Sequence, residues 1–385
     1  MTTPPWADVV IIGGGVVGLA VAYECARSGW RTVLLERDAV GSGAAGVAAG
    51  MLSPAAEADT GGEELLELAF ESCRLYPEFV NAVEAVSAEP CGYRTEGSLL
   101  VALNRDHAEE LERLTAFQRR SGIEVSWLDA DAVLAREPAL SPRVIGGLFA
   151  PGDRQVNPRR LMQALAVAIT SLGSKIETGA AVLEIVTEGG RVSGVRYSSA
   201  GEDKFLAAGH VVIAAGAWAG TLAGHGLEDL PLRPVKGQIL RLHGTPLIDH
   251  VIRTPDVYLV PRSNGELVVG ATSEEQGFDR TVTAGAVRML LTEAWRVLPG
   301  IEELELREVA ASLRPALRDN LPVIGPATLP GLFYAIGHYR HGVMLAPATA
   351  RLLVETMRSG CLPTLLTPFQ ANRFEPIAAT SRTTE

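Results

Sequence analysis

Apolar positions along the chain switch between a strand rhythm and a helix rhythm, and the first switch comes at once. Val9 to Ile12 is an unbroken β-branched and aliphatic run, as expected of a strand buried on both faces. It ends in Gly13-Gly14-Gly15, and residues 16–28 then run without proline to Gly29, as a helix with a glycine stop does. A second apolar run, Thr32 to Leu35, follows and closes on Glu36, which completes a βαβ unit. Apolar residues recur at helical spacing in 63–86, 106–120, from Pro158 onward and in 343–358. Between them, 175–213 alternates strand-like runs with glycine turns and ends in a buried run, and 232–272 and 304–313 are again strand-rich. The pattern predicts an α/β protein. Residues after Phe374 carry neither rhythm, and the tail is expected to be disordered.

Chemistry enters at the glycine loop. Gly13, Gly15 and Gly18 fit G-x-G-x-x-G: the first permits the tight turn, the second lets a pyrophosphate approach the backbone, and the third lets helix and strand pack closely. The helix N-terminus then offers free N–H groups and the positive end of its dipole. Glu36 stands where an acid hydrogen-bonds ribose hydroxyls and repels a 2′-phosphate. This unit predicts a dinucleotide site and does not separate FAD from NAD. One fingerprint of this kind occurs, which argues against a second nucleotide domain. The loop "GSGAAGVAAGMLSPAAE" (41–57) carries small side chains that let backbone approach a flat ligand; the alternative is a flexible connector.

Composition narrows the picture from the other side. The 385 residues, 47% hydrophobic, suffice for two or three compact units. A net charge of -11, from 34 basic against 45 acidic residues, makes a phosphate-tracking nucleic-acid surface an unsuitable reading, and an anionic ligand would need a local cation. Cys25, Cys73, Cys91 and Cys361 form no CxxC, so reduced thiols of a cytoplasmic protein are expected rather than zinc or disulfides. The seven histidines show no HxH or HExxH spacing, so no metal site is expected. The glycine-broken N-terminal run lacks the basic flank of a signal peptide, and no run is apolar enough to span a membrane.

Taken with "AAGML" (48–52), "HVVIAAGAWAG" (210–220), "PVKGQ" (234–238), "YLVPRSNGELVVGAT" (258–272), "SLRPALRDNLPVIG" (312–325) and "GHYRHGVMLAP" (337–347), the glycine motif resembles the D-amino-acid oxidase family of flavoenzymes. Within it the chain looks most like the glycine oxidases tied to the thiazole branch of thiamine synthesis, and the motifs run in family order from residue 9 to about 358. The resemblance implies FAD, bound noncovalently, since Cys361 lies too far along for a flavin-linking cysteine. It implies a Rossmann-like FAD-binding domain assembled from residues 1–85, 145–230 and 315–375, a mixed-sheet substrate-binding domain from 86–144 and 231–314, and a tail at 376–385. The flavin would meet Val16, Val17, Glu36, Ala44, Ala48, Gly50, Val182 and the run His338, Tyr339, Arg340, His341, Gly342, Val343 and Met344. Leu35, Gly43, Ala49 and Gly216 complete that cradle.

A substrate carboxylate in a dry site needs a fixed cation with paired donors. Arg314 sits where the family places it, with Arg340 as a second contact, Tyr258 closing the clamp and Met51 over the flavin. The reaction implied is hydride transfer from the substrate α-carbon to the flavin, with no acid–base side chain required. Glycine, sarcosine or D-alanine would give an imine that hydrolyses (to glyoxylate and ammonia from glycine), and dioxygen would become hydrogen peroxide. His338 is expected as a packed neighbour of the flavin rather than a base. Asp256 and Ser273 depart from the family pattern near the pocket and bear on which amines fit. A D-amino-acid dehydrogenase, a sarcosine-oxidase-like enzyme and a non-catalytic flavin-binding module are the competing readings. The family also implies a homotetramer or other homo-oligomer.

Overall fold

The computed structural model describes residues 6–54, 62–222 and 230–374; the tail lies outside the described residues. Strand β1 (Trp6–Ile12) lies inside an eight-stranded sheet, where the run from Val9 to Ile12 is shielded on both faces. It runs parallel to β2 (Thr32–Glu36) on one side and to Glu202–Ile213 on the other. Leu332–Ile336 adds a further parallel strand, Val323–Pro326 an antiparallel edge, and Lys175–Thr178 the far edge beside β2. The glycine-punctuated stretch forms the expected meander, Ala180–Glu188 and Arg191–Ser199, hung on Glu202–Ile213.

Helix α1 (Val16–Arg27) connects β1 to β2 and is apolar almost all round because it is packed all round, against helices Pro158–Ser171 and Gly342–Ser359. Helix Gly62–Ser87 lies over those two in turn. The short stop after α1, Ser28-Gly29, has Gly29 at φ 83°.

A second eight-stranded sheet runs in the order Glu305–Ala316, Arg233–His243, Glu266–Gly270, Tyr258–Pro261, Val251–Arg253, Ser98–Ala102, Gly146–Ala150 and Ser126–Asp129. It is mixed because Val251–Arg253 lies parallel to Ser98–Ala102 while the other neighbours are antiparallel. Strand Gly146–Ala150 corrects one expected boundary: residues 146–150, assigned by sequence to the FAD-binding domain, pair inside this second sheet. The reason is local. A side chain at Gly147 would meet Leu100 O at 2.8 Å, and one at Gly146 the Trp127 ring at 2.7 Å, so "GG" is what lets this strand lie between its two neighbours. Helices Ala130–Arg136 and Ala284–Val297, not expected from the sequence pattern, start at capping residues Asp129 and Thr283 and add to the second sheet's core.

Strands Arg233–His243 and Glu305–Ala316 pair over their whole length, from His243 with Glu305 to Arg233 with Ala316. Ala316 then bridges to His338, and Tyr339 N donates to Pro315 O at 2.8 Å. The two sheets are thereby joined at one point, and Arg314 is delivered to it.

Candidate functional site

Parallel strands end on the same side, and here three of them end around one cleft. Gly13 follows β1, Ala214 to Gly216 follow Glu202–Ile213, and Gly337 to His341 follow Leu332–Ile336. This is the carboxyl edge of the sheet, where open α/β folds hold their ligands. The cavity there measures about 410 Å³ and continues between the two sheets.

Gly13 has φ +113°, and a Cβ on it would stand 2.5 Å from Ala214 O. Gly18 would place a Cβ 2.0 Å from Gly13 O. Gly15 has nothing within 4 Å of such a Cβ; it is the N-cap of α1, has no side-chain cap bond, and is followed by no acid in the first turn. The first turn therefore carries no acid of its own, and the helix N-terminus opens on the cleft. Glu36 holds the turn, accepting from Gly14 N at 2.6 Å and Asp38 N at 2.8 Å. A carboxylate engaged only by backbone donors keeps lone pairs for ribose hydroxyls and bars a 2′-phosphate. These residues fit a dinucleotide.

Of the residues singled out by sequence, Gly13, Gly15, Val16, Val17, Leu35 and Glu36 line this cleft. So do Gly43, Ala44, Ala48, Ala49, Gly50 and Met51 from the small-residue loop, and Val182 and Gly216 from the meander side. The run from His338 to Met344, with Tyr258 and Arg314, closes it. Gly18 is the exception: it faces Gly13 from behind and does not reach the cavity, because its task is to seat the helix. None of the four cysteines is among the lining residues.

Arg314 leaves its strand towards the cleft and donates to Thr272 O at 3.0 Å and, more weakly, to Lys236 O at 3.4 Å. No ion pair to it forms among the described residues. Its guanidinium lies flat over Gly237, where a Cβ would come within 2.4 Å of it. Tyr258 is seated in the same way: its hydroxyl would be 2.4 Å from a Cβ on Gly270. Sequence reasoning missed both glycines, although a glycine inside a strand signals close approach. Behind Arg314, buried Lys236 pairs with Asp279 at 2.7 Å, and Glu274 accepts from Thr272 Oγ1 at 2.6 Å and Gln238 Nε2 at 2.7 Å. This network fixes the carbonyl on which Arg314 rests.

Arg340 is exposed at the rim, its guanidinium 5.1 Å from the Tyr339 ring. Asp256 also stands at the rim, 3.5 Å from His107 Nε2, and Ser273 lies on the wall. Arg37 and Trp218, not expected from the sequence, line the nucleotide end; the Arg37 guanidinium lies 5.0 Å from the Trp218 ring. The signal for Arg37 was its place directly after Glu36.

His338 is buried against the helix Gly342–Ser359 and shares a hydrogen bond with Thr349 Oγ1 at 3.0 Å. Burial, and secondarily the neighbouring His341, push its pKa down to about 3, so the ring is neutral at physiological pH. The unfolded chain takes up a proton here near pH 6.5 and the folded chain does not, so stability is complete above that pH and is lost on the way down towards about 3. The slope from this one group is at most about 1.4 kcal/mol per pH unit. Urea unfolding between pH 7 and 5 should show it, and His338→Gln should flatten it; an unaltered slope would remove His338 from the account.

A family model described as FAD dependent oxidoreductase (DAO) matches residues 8–356. The chain belongs to this family. Its cofactor is FAD. This oxidoreductase is 35% identical to a glycine oxidase of Geobacillus kaustophilus over 370 residues, 95% of this chain and 97% of that protein. It is 34% identical over 379 residues to a bifunctional ThiO/ThiG protein of Trichormus variabilis, matching 97% of this chain and 56% of that protein. The chain thus spans about half the length of the ThiO/ThiG relatives. The crystal structure of the glycine oxidase from Geobacillus kaustophilus has the same fold, with a TM-score of 0.88 at 35% identity, covering 96% of this chain and 99% of that one. No described helix is long and apolar enough to cross a membrane, and no group of metal-binding side chains occurs among the described residues.

Proposed function

We propose that this oxidoreductase oxidises glycine and related small amines such as sarcosine and D-alanine, in service of thiazole formation. The observation that carries the reading is the pairing, in one cleft, of a dinucleotide cradle with Arg314, a guanidinium whose hydrogen-bond partners among the described residues are carbonyls and which Gly237 lets lie flat. Likeness to the glycine oxidase and the ThiO/ThiG proteins supports it.

In this reading the first turn of α1 and Glu36 hold the pyrophosphate and ribose, and the small residues from Ala44 to Gly50, with His338 to Met344, wall the ring. When bound, the flavin would supply the two-electron chemistry, as acceptor of the hydride from the substrate α-carbon, with dioxygen as the final electron acceptor. Everything else is positioning. Arg314 takes the substrate carboxylate in a forked pair, the Tyr258 hydroxyl bounds the opposite side, and Arg340 makes an outer contact. Met51 narrows the pocket towards small side chains. No side chain has to move a proton during the hydride step, provided that the amine enters neutral; neutral His338 agrees with that. The imine leaves and hydrolyses, giving glyoxylate and ammonia from glycine. The lining without cysteine supports noncovalent FAD. The chain is read as a cytoplasmic homo-oligomer.

Glycine, sarcosine or D-alanine added without oxygen should bleach the flavin of the holoenzyme, and in air each glycine consumed should yield one hydrogen peroxide. A flavin left oxidised by all three would make the protein a binding module, and bleaching without peroxide would make it a dehydrogenase.

A further inference from the structure

Arg262 has no role in the mechanism above and does not line the cleft, yet it is buried directly behind the loop that does. It directly follows the strand Tyr258–Pro261 and is 4% exposed. Its guanidinium donates to Gln155 Oε1 at 2.8 Å, to Val156 O at 3.1 Å, and to Ala49 O. No carboxylate of the described residues pairs with it. Burial is the main reason that its pKa is brought down to about 9, with neighbouring Arg241, Arg94 and Arg160 adding to the effect against Glu266. Nearby arginines are treated differently: Arg159 and Arg241, which donate to Gly46 O, are paired with Glu308 and Glu266 respectively. A buried cation without a counter-ion is costly, so the acceptors must be what it serves.

Those acceptors lie on two segments that meet at the cofactor side of the cleft. Met51 and Leu52 pair with Gln155 and Arg154, Val156 N donates to Gly50 O at 2.9 Å, and Ala49, Gly50 and Met51 line the cavity. Gly50 sits at φ +76°, where a Cβ would strike Val156 O at 2.1 Å. The strand that Arg262 directly follows opens with Tyr258, four residues earlier. We propose that Arg262 is a positioning residue: by bonding to Ala49 O and Val156 O it sets the loop 48–51 at a fixed spacing from the strand of Tyr258, and so fixes the gap between flavin and substrate. It acts through the loop and touches neither ligand. This inference rests on the reading of the cleft as a site for FAD and a small amine.

Arg262→Lys keeps the charge but not the fork that serves two segments at once, and Arg262→Met removes both. Both variants are expected to weaken FAD binding to the apoprotein by about tenfold or more, Lys less than Met, as charge-assisted hydrogen bonds are lost. The visible spectrum of bound flavin should shift, and amide hydrogen exchange should quicken at residues 48–52 but not in β1. General destabilisation would lower the unfolding midpoint without that local pattern. Wild-type exchange at 48–52 together with FAD affinity within about twofold of wild type would overturn the proposal. Should neither variant fold, the wild-type apoprotein decides: amides 49–52 protected before FAD is added support it, and free exchange there overturns it. Weakened FAD binding in the variants supports the inference even in a protein that glycine does not bleach, so its failure and that of the substrate reading are separable.

Discussion

Arg314→Ala is expected to lower kcat/KM for glycine by about two to three and a half decades. The magnitude follows from the carboxylate it would leave behind: an anion held in a site closed by Tyr258, Met51 and the flavin wall, without its partner, costs about 3–5 kcal/mol, and about 1.4 kcal/mol is one decade. Arg314 is only half-buried, which places the expectation towards the lower end of that range. The guanidinium is held by Thr272 O from one side and by the bare backbone of Gly237 beneath, so its direction is set before a substrate arrives. Gly237→Ala would push a methyl into it and should therefore cost activity in the same sense but less, because the far end of a flexible side chain can give way. Arg314→Lys should fall between, since an ammonium offers the charge without the fork. Steady-state kinetics with glycine, beside the FAD content of each variant, separates these effects. An Arg314→Ala enzyme within about threefold of wild type, less than 1 kcal/mol, would remove Arg314 from the site.

Local pattern pointed to the nucleotide half of the proposed site. Strand, glycines, helix and acid lie between Trp6 and Glu36, each constrained by its neighbour: Gly18 by Gly13 O, Gly14 N by Glu36, so a short window of sequence contains the whole physical reason. The substrate half is different. What Gly237 and Gly270 make room for are side chains from other strands, Arg314 and Tyr258, and nothing in "PVKGQ" or "VVGAT" announces those partners. The same holds for Arg262, whose acceptors are more than 100 residues earlier in the chain. Family resemblance placed residues 146–150 in the FAD-binding domain, whereas they pair in the second sheet; their two glycines interrupt the alternation that would have marked a strand there. Helix Ala284–Val297 had a legible start at Thr283, which accepts from Ala286 N, but follows a long polar loop that masked it. Family resemblance supplied Arg314, Tyr258 and Arg340 by position; it did not supply the contacts that orient them.

Gly18→Ala and Gly15→Ala should separate the two duties of the phosphate loop, and together they carry the second large effect. At Gly18 a methyl would stand 2.0 Å from Gly13 O, a backbone atom whose own residue is tied to Leu35 O at 2.9 Å and abuts Ala214. Neither side can yield cheaply, so α1 must lift from β1. Overpacking of this kind costs about 1–3 kcal/mol of stability. The same lift carries the first-turn N–H groups away from the pyrophosphate. FAD binding should then weaken by one to two decades, about 1.4 kcal/mol for each, together with a lowered unfolding midpoint of the apoprotein. At Gly15 the outcome should split. Nothing lies within 4 Å of a Cβ there, so the apoprotein should unfold as wild type does, while the methyl takes up space that the cofactor needs and FAD affinity falls. Titration of FAD into the two apoproteins, set beside their thermal unfolding without FAD, makes the comparison. Equal FAD affinity in Gly15→Ala and wild type would mean that the open space at the head of α1 is not where the pyrophosphate lies, and the cradle would have to be sought elsewhere along the cleft.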